Sequence, residues 1–127
     1  MRYLQDEHLQ AALRFLFLSM AITVMKQDMA YIQDGKFKIK EPYLELLEKM
    51  IFLAKKERKN LRKTMHDENI QVILLNRNDS FSSYLFICQG KEEKRNFFNP
   101  AIRKKVEIIV KEMMEKALQS FPLSPVH

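Results

Sequence analysis

The chain has 127 residues, 46% hydrophobic and 30% charged, with a net charge of +6 at pH 7. That balance excludes a disordered chain and bounds the molecule at one domain with room for a real core. Two glycines and four prolines are too few turn signals for an all-β sandwich, so a few long helices are expected.

The first helix is expected over residues 4–33. Its centre, Ala11 to Met25, carries one charge, Arg14, and is apolar on nearly every face. Such a helix must be surrounded by its own protein or by lipid. The run is shorter than the ~20 residues of a membrane span, and Asp6 and Glu7 suit a secretory signal poorly. A core helix in a cytoplasmic protein is expected, and the lone Cys88 agrees with a reducing compartment. Asp34-Gly35 closes the helix. Lys36 to Lys40, KFKIK, alternates strictly and reads as a short, half-buried extended segment.

Glu41-Pro42 opens a second helix reaching about His66. Glu41, Glu45 and Glu48 share one face, but no Glu-x-x-His accompanies them, so a solvated acidic face is expected and no metal. The second half of this helix is strongly basic: Lys55, Lys56, Arg58, Lys59, Arg62 and Lys63. At about 100° per residue they cover an arc of roughly 160°, away from the apolar stripe. Residues 36–63 hold ten Lys/Arg against four Glu, so the whole excess charge of the chain lies there. These six residues are the candidate site for an anion or a partner. Solvation alone is the simpler account of such a face.

Residues 70–76 read as a strand. For residues 80–97 two signals compete. β-propensity makes them a second strand after a turn at 76–80. Periodicity makes them a helix with Phe81, Tyr84, Leu85 and Cys88 on one face, and the helix is preferred. Asn99 as cap and Pro100 at the first helical position open the last helix, whose stripe is Ile102, Val106, Ile109, Val110, Met113 and Ala117. The expected fold is mainly α: a bundle of about four helices around the 4–33 helix, with extended segments at 36–40 and 70–76. Residues 1–119 form one helical domain and 120–127 an extended or disordered tail.

Two stretches, KEPYLELLEKM (Lys40 to Met50) and SFSSYLFICQGKEEKRNFFNPAIRKKVEII (Ser80 to Ile109), resemble segments of a family of small Bacillus proteins of the YhjD type. The resemblance covers about a third of the chain. It implies a bacterial, cytoplasmic, largely helical protein without an assigned activity, and it transfers no catalytic or binding residue.

Catalytic motifs are not found. His8, His66 and His127 lie far apart, Cys88 sits in an apolar run, and no Gly-rich phosphate loop or G-x-S-x-G occurs. No enzyme activity, cofactor or small-molecule substrate is expected. The first reading is an interaction or regulatory module that binds a protein partner or a second copy of itself. The alternative is a winged-helix DNA-binding regulator using helix 55–63 and a hairpin at 70–88, with Arg77 at its turn. A strand over residues 80–97 favours the regulator, a helix the module.

Overall fold

The computed structural model describes residues 3–120. Its elements are α1 (Asp6–Asp34), α2 (Glu41–Asp67), β1 (Ile70–Arg77), β2 (Phe81–Cys88), β3 (Lys91–Phe98) and α3 (Asn99–Ser120). The fold is α+β, with 66% of the described residues in helix and 20% in strand, which corrects the expected four-helix bundle. The predicted tail lies outside the described residues except for Ser120, which ends α3.

The correction turns on residues 80–97. They form β2 and β3 of an antiparallel meander in the order β1-β2-β3. The buried residues of β2 are Ser82, Tyr84, Phe86 and Cys88, a period of two, and not the helical set that includes Phe81 and Leu85. A lone β1 would leave its ladder groups unpaired on both sides, and pairing with β2 satisfies one side. The reversal between β2 and β3 is made by Gln89 and Gly90, both at positive φ (52° and 81°), as in a two-residue type I′ hairpin. A Cβ on Gly90 would meet nothing within 4 Å. Gly90→Ala is therefore expected to destabilise by about 1 kcal/mol through the backbone alone. A thermal melt indistinguishable from the parent would contradict this turn.

α1 and α2 form an antiparallel helical hairpin. The connecting segment 36–40 is not the half-buried extended element expected from its alternation: Phe37 and Ile39 are 51% and 69% exposed. The sheet packs on the N-terminal half of α1 and the C-terminal end of α2, so KFKIK has no strand within reach to pair with. Phe37 leans on Tyr43 instead, and Lys40 Nζ donates to the Gln33 carbonyl at 2.7 Å. α2 closes with Asn69 in the left-handed region (φ 55°), which turns the chain into β1.

Two apolar clusters result. One lies among the three helices, around Leu18, Met25, Met50 and Met113. The other lies between the start of α1, Met65 of α2 and the inner face of the sheet, around Phe86. Leu13, Leu16, Met20 and Phe97 pack against both. This arrangement explains why α1 is apolar on so many faces: α2, α3 and the sheet each cover a different one. By length and hydropathy alone α1 also passes as a membrane span, but its buried residues belong to these two clusters.

The single charge within that apolar run ties the helices together. Arg14 Nε donates to Glu57 Oε2 at 2.5 Å, and Nη2 donates to Glu112 Oε2 at 2.6 Å. Lys116 Nζ stands 3.4 Å from the same Glu112 oxygen. Asn99, expected as a helix cap, does a different job. It accepts from Ser82 Oγ and donates through Nδ2 to the Asn78 carbonyl, both at 2.8 Å, fastening the β1–β2 turn to the start of α3.

Candidate interaction surfaces

The basic run of α2 is divided by the helix twist. Lys55, Lys56, Lys59, Arg62 and Lys63 are exposed, whereas Arg58 is half-buried. Arg58 Nε donates to Ser19 Oγ at 2.7 Å, and its guanidinium stacks 4.6 Å from the Phe15 ring centroid, fixing α2 on α1. Glu57, within the same run, turns inward to Arg14. Lys26 of α1 joins the outward group. Its ammonium is held below the ordinary lysine range, chiefly by the charge of Lys55 and further by Arg58. Among the described residues none of Lys26, Lys55, Lys56, Lys59, Arg62 and Lys63 pairs with a carboxylate within 4.0 Å. Glu41, Glu45 and Glu48 are exposed at the other end of α2.

The meander presents a second surface, missed by the helical reading of residues 80–97. Its inner face is buried on the helices, and among the described residues no element lies over its outer face. Phe81 and Phe98, opposite each other on β2 and β3, stack with centroids 5.5 Å apart and are 47% and 51% exposed. On β1, Ile73 of this face is 42% exposed, and at the bulge Leu74, on the opposite side of the sheet, and Leu75 are 48% and 47% exposed. The signal was present: a two-residue Gln-Gly turn between two runs of eight. Beneath the free edge of β1 runs a groove of about 480 Å³ lined by Phe15, Met65, Ile70 and Val72, with Arg62 and His66. A larger groove of about 730 Å³ lies between α1, α3 and the hairpin end, over Met20, Val24, Ile102 and Val106. Two cations, Arg77 and Arg103, and two carboxylates, Asp28 and Glu107, also line it.

One constellation has the outline of a catalytic triad. Cys88 Sγ lies 3.4 Å from His8 Nδ1, and His8 Nε2 lies 3.5 Å from Glu68 Oε2. Its three side chains come from α1, the end of α2 and β2, which they tie together. Cys88 is 1% exposed, and burial, with help from the Glu68 charge, pushes its thiol above the ordinary range. A protonated thiol is a poor nucleophile. Its hydrogen goes to the Glu68 carbonyl at 3.4 Å, which also accepts from Gln89 Nε2, so the Cys88–Gly90 turn is pinned to the end of α2.

Fold and surfaces together define a small α+β protein: a helical hairpin carrying a three-stranded meander and a third helix packed on both helices, with one apolar and one cationic surface exposed among the described residues. The chain belongs to the YhjD family, whose model, described as YhjD protein, matches residues 3–118. It is 36% identical over 103 residues to "Uncharacterized protein YhjD" of Bacillus subtilis (strain 168), covering 81% of this chain and 86% of that protein. No solved structure matches.

Proposed function

We propose that this chain is a non-catalytic interaction module of the bacterial cytoplasm that associates with a second copy of itself through its sheet. One observation carries the reading. Ile73, Leu74, Leu75, Phe81 and Phe98, each 42–51% exposed, gather large apolar side chains on the one meander. Clustered apolar exposure of this kind marks association surfaces, where scattered exposure does not. Light scattering over a concentration series tests it: a mass rising from one chain to two is expected. A single-chain mass at the highest soluble concentration overturns it.

A second reading has its own observation. Lys26, Lys55 and Arg58 crowd like charges at one place, and an anionic polymer laid on Lys55, Lys59, Arg62 and Lys63 would relieve them. The strands at residues 81–98 supply the hairpin that a winged-helix regulator needs. The remainder of that motif is a different matter. α2 is a continuous 27-residue rod packed along α1, with no short helix pair and tight turn ahead of the hairpin. Nucleic acid is therefore ranked second, as a contact through the basic face. Anisotropy of a labelled generic duplex at two salt concentrations decides it. Binding that weakens steeply with salt and is lost on changing those four residues to Glu supports it. Absence of binding at low salt removes it.

A further inference from the structure

Among the described residues the sheet ends in a free edge at β1. β1 is bonded to β2 on one side only, so alternate backbone N–H and C=O groups point away from the sheet. Edges are ordinarily protected by lysine, proline or a covering element. From Ile70 to Asn76 this one has neither a charge nor a proline. Its one irregularity is the bulge between Leu74 and Asn76, which leaves Ile70–Leu74 as the regular run, with Val72 at its centre.

Leu74 is the anomaly on this edge. Its register partner is Tyr84, which is 3% exposed on the inner face, yet Leu74 itself is 48% exposed. It lies on the helix side of the sheet and is left half exposed among the described residues. The groove of about 480 Å³ under the same edge has apolar walls in Phe15, Met65, Ile70 and Val72. A strand added to β1 would lay every second side chain over that groove.

The geometry points to β1 of a second copy as that strand, paired antiparallel about a two-fold axis at Val72, so that two meanders join into one six-stranded sheet. The inference rests on the self-association reading and specifies its interface. Two features select a copy of this chain over another strand. A two-fold axis at Val72 sets Leu74 opposite Ile70 of the second copy, covering the anomalous side chain and filling the groove from both sides. It also brings Arg77, past the bulge of each copy, toward the end of the other copy's β1, where Asp67 and Glu68 close α2, so opposite charges flank an uncharged run at both ends.

The test uses the full chain with Cys88→Ala, so that any disulfide must come from the introduced thiol. Residues directly opposite in an antiparallel pair have Cα atoms about 4.5–5.5 Å apart, within disulfide reach. Val72→Cys in that background is expected to oxidise to a covalent dimer, and Asn96→Cys on the far edge strand to stay a single chain. Leu74→Lys, made alone in the parent chain at a half-exposed position, is expected to convert the dimer to single chains by light scattering. This second variant keeps the proposal testable if the cysteine variants fail to fold. A dimer that survives Leu74→Lys, or that forms without a Val72→Cys cross-link, overturns this interface and leaves the self-association reading intact. A parent chain that is monomeric throughout overturns both.

Discussion

Phe86→Ala is expected to lower folding stability by about 3–5 kcal/mol, and Leu85→Ala by about 1 kcal/mol. The contrast follows from the strand. Phe86 is fully buried on the inner face of β2, with Leu4, Leu9, Ala12, Met65 and Ile70 in its cluster. Leu85, one residue earlier, points to the uncovered face and is only half-buried. Removing the phenyl ring takes away its burial and leaves a cavity that neighbouring elements cannot close without breaking the ladder. A helix over residues 80–97 would reverse the order, since Leu85 belongs to the helical stripe and Phe86 does not. Denaturant unfolding of the two variants measures the difference. Equal losses, or a larger loss at Leu85, would contradict the strand.

Replacing Arg14 by Met is expected to cost about 2 kcal/mol, between the values typical of exposed and of fully buried ion pairs. Each of the three side chains at this contact is about one-third exposed. The hydrogen bonds that Arg14 donates to Glu57 and its pairing with Glu112 hold its guanidinium still further above the ordinary range, against partial burial. The Arg14 hydrogen bond, and then its charge and that of Lys116, hold the Glu112 carboxyl below the usual carboxylate range. Without Arg14, Glu57 and Glu112 share only Lys116, at 4.0 and 3.4 Å.

The pH dependence follows from the sign of the Glu112 shift. A carboxyl with a depressed folded-state pKa contributes stability that is complete above its unfolded value, about 4.3. That contribution fades as pH falls from there through the depressed folded value. Glu112→Gln should therefore lose stability at neutral pH and approach the parent at strongly acid pH. Combining Arg14→Met with Glu112→Gln should cost less than the two single losses added. Strict additivity in urea titrations would show that the contact is not coupled.

The two ends of the hairpin differ in how much the sequence disclosed. Pro42 and the acidic residues beside it mark the start of α2, and Asn99-Pro100 marks the start of α3, because these signals act within one turn of helix. The placement of the basic face could be read from the 100° step, but not the inward turn of Glu57 and Arg58. That turn depends on Arg14 and Phe15, more than forty residues away. KFKIK has the alternation of a strand and no partner, while FSSYLFIC fits both a helical stripe and a strand. In the second case periodicity carries the helical reading across Gly90, and the Gln89-Gly90 turn that decides for strands goes unread.

By itself the sequence determined that α1 must be enclosed, that residues 36–63 carry the excess charge, and that turns are few. These are properties of composition and short-range geometry. Only the tertiary structure decided that residues 80–97 form a sheet, that Arg14 has two carboxylate partners, and that β1 ends in an apolar, uncharged edge. A strand is stabilised by pairing with backbone distant in the chain, and an ion cluster by side chains from three helices. Neither leaves a pattern in a short window of sequence.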